Sequence, residues 1–161
     1  MRALLWSAGV ALAVDQATKY AVVHGMALAR KRAIDVAPPF LNFRYGENRG
    51  INFGLFDGET DAARWILIGF SLVVVAAVFV WVRRAHAGDT WIQVGAGLLI
   101  GGALANVLDR LLYGYVLDFL NMSCCGIDNP FVFNVADVFI FIGAAALILF
   151  DTGARKRKMG G

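Results

Sequence analysis

Of the 161 residues, 59% are apolar and 17% charged, the mean hydropathy is +0.64 and the net charge is +3. Soluble domains carry roughly 45–50% apolar and about 25% charged residues, so this composition excludes an average soluble domain and points to a membrane chain.

The first candidate helix, residues 3–23, contains Asp15, Gln16 and Lys19. Ala3 to Val14 spans about 12 residues, roughly 18 Å of helix against a hydrocarbon core of about 30 Å, so the helix crosses only by taking Asp15 to membrane depth. An acid placed there is costly and by default faces the bundle interior and serves function. Asp15, Thr18 and Lys19, at i, i+3 and i+4, share one face. A cleaved signal peptide over residues 1–29, ending at Ala27, Leu28 and Ala29, is the alternative. Asp15 and Lys19, lying between the apolar run and that cleavage site, speak against it.

In the segment 24–64, "LNFRY" (41–45) and "INFGL" (51–55) each alternate apolar and polar residues around the pentad "GENRG". This pattern predicts a hairpin. Pro38 and Pro39 would break any helix leading into it. Two further spans follow, 65–82 and 91–111, the first without a charge from Trp65 to Val82. Gly97, Gly101 and Ala105, four apart, would let a neighbouring helix approach closely. Asn106, Asp109 and Arg110 share a face near the end of that span. For Asp109 the bland reading, a local ion pair with Arg110 or interfacial solvation, is preferred.

Within 112–133, "YVLDF" (115–119) reads as a short strand. A fourth helix, 134–151, carries Asn134 and Asp137 at i, i+3. Val138 to Phe150 is about 13 residues, roughly 20 Å, again too short to span unless Asp137 enters the bilayer.

Four spans put both termini and residues 83–90 on one side, with Arg2, Arg83, Arg84, Arg155, Lys156, Arg157 and Lys158. The other side carries Arg30, Lys31, Arg32, Arg44, Arg49, Arg64 and Arg110, an even count. Crowding into short loops and tails assigns the first side to the cytoplasm. Asp15, Asn106, Asp109, Arg110 and Asp137 then all lie toward the outer leaflet, which predicts one polar site near the extracytoplasmic surface. The chain reads as a single integral membrane domain over 1–161, with extracytoplasmic segments at 24–64 and 112–133. The tail "RKRK" reads as an inside anchor rather than a binding patch, and no nucleic-acid motif is present.

Elimination narrows the chemistry. Cys124 and Cys125 are adjacent, and neither His24 nor His86, on opposite sides of the membrane, suits a thiol mechanism or a metal site. Carboxylates remain. Asp118 and Asp137, if brought within a few ångström, would share a proton, so that one acts as base for water and the other as acid. Taken singly, Asp137 could be a helix-capping charge and Asp118 an exposed strand carboxylate. A proton-coupled transporter and a non-catalytic membrane assembly factor are the competing classes.

Five blocks together resemble the lipoprotein signal peptidase (signal peptidase II) family of bacterial membrane aspartyl proteases: "DQATK" (15–19), "NRGINFG" (48–54), "GGALANVLDR" (101–110), "GYVLDF" (114–119) and "FNVAD" (133–137). The resemblance implies an all-α membrane bundle of four transmembrane helices with a small extracytoplasmic β-sheet, or β-cradle. It implies Asp118 and Asp137 as catalytic dyad, and Asn48, Asn106, Arg110, Asn134, Asp15 and Lys19 as substrate-binding or dyad-supporting residues. The implied activity is removal of signal peptides from diacylglyceryl-modified prolipoproteins, just before the lipidated cysteine. No cofactor or metal is expected, and the expected partners are those substrates and membrane lipids, with no nucleic acid, for a monomer in the bacterial inner membrane. Ile51 and Asn52 stand where family members commonly have two small residues.

Overall fold

Away from water a backbone satisfies its own N–H and C=O groups most simply by winding into helix, and the apolar runs of this chain do so. A computed structural model describes residues 1–50, 62–124, 126 and 129–159, with side chains up to residue 151. Helix α1 (Arg2–Lys19) continues as one π-helical segment (Tyr20–Gly25), followed by the single-turn α2 (Leu28–Lys31). Strands β1 (Ala33–Ala37) and β2 (Leu41–Asn48) come next, then α3 (Ala62–Ala85) and α4 (Thr90–Tyr113). Strand β3 (Val116–Asn121) and α5 (Val135–Met159) complete the described chain.

The fold is thus mostly helical with a small antiparallel sheet in the order β1-β2-β3. Helices α3 and α4 are long and apolar enough to cross a membrane. On α3, Trp65, Ile66, Phe70 and Val73 are all more than half exposed, an apolar surface that suits lipid rather than water.

Helix α4 packs between α1 and α5, and its glycines show how closely. A Cβ at Gly97 would collide with Ser7 Oγ and the Leu4 carbonyl, and one at Gly101 with the Ala8 carbonyl. On the side facing α5, a Cβ at Gly102 would stand 2.5 Å from the Ala136 carbonyl and one at Gly95 2.9 Å from Ala146 Cβ. Gly97 and Gly101 of the expected stripe therefore pack α1, while Gly95 and Gly102 make a second stripe for α5.

The two ends of the bundle differ. Leu4, Val82, Ile92, Ala96 and Ile100 form an apolar core at one end. At the other, Val22, Val23, Leu28, Leu117 and Phe119 pack beneath the sheet. Gly114 takes φ +86° after α4 and its N–H closes on the Arg110 carbonyl, a left-handed cap that turns the chain at once into β3.

The hairpin expectation needs correction. "LNFRY" does form a strand, but β2 runs on through "GEN" to Asn48, and its partners are β1 and β3. Pairing of Gly46, Glu47 and Asn48 with Asp118, Leu117 and Val116 keeps those residues extended, so tertiary pairing overrides the local turn signal. "INFGL" lies outside the described residues.

Gly101→Val is expected to lower the melting temperature in detergent, since overpacking at a close helix crossing costs about 1–3 kcal/mol. Gly69→Ala, where the added Cβ meets nothing within 4 Å, should not. Identical melting of Gly101→Val and the parent would contradict the close α1–α4 approach.

Candidate active site

Three ionisable side chains from two helices meet in the interior near the sheet end. Lys19 Nζ lies 2.8 Å from Asp15 Oδ2 and 2.7 Å from Asp109 Oδ2, with all three side chains at most 3% exposed. Its third contact is Asn106 Oδ1 at 3.4 Å. Asp15 Oδ1 accepts the Ala136 N–H at 2.8 Å, and Asp109 Oδ2 accepts the Leu117 N–H at 3.0 Å. Gln16 Nε2 donates to Asp109 Oδ1 at 2.8 Å and to Asp15 Oδ2 at 3.3 Å. Every carboxylate oxygen is partnered, as burial of charge requires.

Beside this cluster two asparagines join Asp118 to Asp137. Asn134 Nδ2 donates to Asp118 Oδ1 at 2.6 Å and to Asn106 Oδ1 at 3.3 Å, and Asn106 Nδ2 donates to Asp137 Oδ1 at 2.9 Å. Asn134 also caps α5. Its Oδ1 accepts the Asp137 N–H at 3.0 Å while its own N–H donates to Asp137 Oδ2 at 3.2 Å, a reciprocal capping box. Backbone hydrogen bonds between Phe133 and Leu120, 2.8 and 2.9 Å, lay the preceding residue along β3. This brings Asn134 alongside Asp118.

Asn48, exposed at the end of β2, donates to Asp118 Oδ2 at 3.0 Å. Asp118 itself is 3% exposed, whereas Asp137 is half-buried. Burial pushes the Asp118 carboxyl up to about 6, opposed by hydrogen bonds from Asn134 and Asn48 and reinforced by the charge of Asp137. At the rim, the Tyr45 and Tyr115 hydroxyls lie 3.2 Å apart, with Arg32 over the Tyr45 ring and Arg49 over the Tyr115 ring.

The structure therefore gathers Asp118, Asp137, Asn48, Asn106 and Asn134 into one hydrogen-bonded set, with Asp15 and Lys19 directly behind it. Arg110 stands half-buried beside them, its Nη1 3.4 Å from the Asn106 carbonyl, within the electrostatic reach of both Asp118 and Asp137. The capping reading of Asp137 holds, with Oδ2 accepting the Asn134 N–H while Oδ1 accepts from Asn106 Nδ2. The exposed-strand reading of Asp118 does not hold.

Asp109 overturns its expectation, since its ion-pair partner is Lys19 rather than Arg110. Burial decides this: a fully enclosed carboxylate needs a cation at its own depth, and Lys19 on α1 reaches it. That depth argument, applied to Asp109 as it was to Asp15, was the available signal. Gln16 was missed as a partner because it follows Asp15 directly and falls outside the i, i+3, i+4 pattern. Cys124 is disulfide-bonded, and among the described residues no cysteine is free.

The chain is similar to known proteins along nearly its whole length. A family model described as Signal peptidase (SPase) II matches residues 7–152. A lipoprotein signal peptidase of Rhodopseudomonas palustris is 40% identical over 146 residues, covering 89% of this chain and 87% of the relative. One of Alteromonas mediterranea is 36% identical over 159 residues, covering 98% and 85%. A bacterial membrane enzyme solved by the in meso method at 2.3 Å superposes with a TM-score of 0.77 at 28% identity, covering 98% of this chain and 92% of the other.

Asn134→Ala should destabilise the protein by about 1–2 kcal/mol through loss of the α5 cap, with Asn134→Ser recovering most of that loss. Detergent melting of the three proteins checks it, and equal stability of Ala and Ser variants would rule out the cap.

Proposed function

The chain belongs to the signal peptidase II family, a family of membrane peptidases, and on that premise we propose that it is an aspartyl endopeptidase with Asp118 and Asp137 as its dyad. Its substrates are diacylglyceryl-modified bacterial prolipoproteins, whose signal peptides it removes just before the lipidated cysteine. The observation that carries the reading is the Asn134–Asn106 bridge, which links one oxygen of each carboxylate through side-chain amides. A buried acid and a half-buried one linked in this way cannot both ionise freely, and one retains a proton.

In this reading Asp118, whose carboxyl is pushed up by burial, is the acid that holds the shared proton, and Asp137 takes the part of the base. Asp137 takes a proton from water as the water oxygen attacks the scissile carbonyl carbon, while Asp118 gives its proton to the carbonyl oxygen. As the C–N bond of the tetrahedral diol breaks, Asp137 passes its proton to the leaving nitrogen and Asp118 recovers one from the diol hydroxyl. Both carboxyls return to their starting states.

Asn48 approaches Asp118 from the exposed side, and Arg110 supplies positive charge within reach of both carboxyls. Asn106 and Asn134 hold the dyad, and Asp15 and Lys19 support it from behind. No cofactor takes part.

In this reading α1 with its π-helical extension, α3, α4 and α5 are four transmembrane helices of an inner-membrane monomer, and the sheet rests on the extracytoplasmic face. The substrate's acyl chains stay in the leaflet while its scissile bond reaches the polar boundary beside β2 and β3.

Asp118→Asn and Asp137→Asn should each lower turnover of a lipid-modified precursor peptide by at least about 10²-fold, with melting in detergent retained. Substantial turnover in either folded variant would remove that residue from the dyad.

With a group that must be protonated and titrates at about 6, kcat/KM should fall as pH rises through that region. Asn48→Ala removes a hydrogen bond that favours the carboxylate, so its alkaline limb should move to higher pH. A limb that stays in place or moves down contradicts the assignment of the proton to Asp118.

A further inference from the structure

The two backbone amides bound by the buried acids are the residues immediately before the dyad: Ala136 precedes Asp137 and Leu117 precedes Asp118. We propose that Asp15, Lys19 and Asp109 form a positioning clamp that sets the separation of Asp137 and Asp118 by holding the chain one residue ahead of each. The inference rests on the dyad reading above and extends it to Asp109 and Gln16.

Asp15 on α1 grips the first turn of α5, and Asp109 on α4 grips β3. Among the described residues neither carboxylate has a hydrogen bond to Asp118 or Asp137, and each meets its segment through a backbone amide. Lys19 draws the two grips together, with Nζ 2.8 Å from one carboxylate and 2.7 Å from the other. Without the ammonium, two enclosed carboxylates repel, and each carries its own segment with it. Gln16 spans the same pair with a neutral donor. Lys19 also reaches Asn106, which holds Asp137, so the clamp and the asparagine bridge share an atom, Asn106 Oδ1.

Stability alone does not account for this placement. A buried ion triad is commonly no more stable than apolar residues of similar volume. What it adds here is a fixed position for two N–H groups, those of Ala136 and Leu117, which lie beyond the Phe133–Leu120 backbone pairing that joins their segments. Misplacement of reacting groups by about 1 Å can cost about 10²-fold in rate.

The test measures kcat, KM and melting temperature of the full-length protein in detergent, with a diacylglyceryl-cysteine precursor peptide as substrate. Asp109→Asn keeps an oxygen for the Leu117 N–H but loses the attraction to Lys19. Its kcat should fall about 10- to 100-fold with KM within about twofold. An unchanged kcat in the folded variant overturns the clamp, as does a loss confined to KM or to melting temperature. Should Asp109→Asn fail to fold, Gln16→Leu decides, with kcat expected to drop about fivefold and an unchanged kcat overturning the inference. Asp118→Asn and Asp137→Asn run alongside. If these two remain active the dyad reading fails, whereas if they are inactive and the clamp variants are normal, the clamp alone fails.

Discussion

An ammonium enclosed between two carboxylates is the interaction on which the polar end of this protein depends. Removing each ion from water costs several kcal/mol even after relaxation, and the mutual attraction offsets this only when geometry is good and the remaining donors and acceptors are filled. Here they are. Lys19 spends its three N–H donors on Asp15, Asp109 and Asn106, and the four carboxylate oxygens take Lys19, Gln16 and two backbone amides. Because those partners come from α1, α4, β3 and α5, satisfying one buried charge ties four elements together.

The glycines of α4 make that convergence possible. Lys19 reaches Asp109 only if α1 lies close to α4, and Asn106 reaches Asp137 only if α5 lies close on another side. Gly97 and Gly101 permit the first approach and Gly95 and Gly102 the second. Close backbone contact substitutes for the hydrophobic drive that lipid cannot provide between helices. The polar network then adds directional bonds at one end of a bundle whose other end is held by an apolar core.

The proposed chemistry suits such a place. A general acid works best with a carboxyl raised toward the working pH, and burial at β3 pushes that of Asp118 up to about 6. Asp137, half-buried at the start of α5, stays closer to the open side. The difference in surroundings separates the roles of two chemically identical groups.

Much of this was legible in the residues. Apolar runs located the long helices, and the short run beside Asp15 marked an acid that the structure does enclose. Helical spacing put Asn106 with Asp109 and Asn134 with Asp137 on common faces. Alternation at "LNFRY" and "YVLDF" located two of the strands. Strand β1 went unread, and the turn signal in "GENRG" misled, because strand pairing is decided by a neighbour distant in the chain.

Composition, run length and periodicity are local quantities, and by themselves they determined that the chain is apolar, where it is helical and which polar groups share a face. Which charge meets which was decided only by tertiary structure: Asp109 chose Lys19 on another helix over its neighbour Arg110, and Asn134 came to bridge Asp118 and Asn106. The reason is that a buried ion answers to whatever lies at its own depth in the fold, and depth is a property of packing.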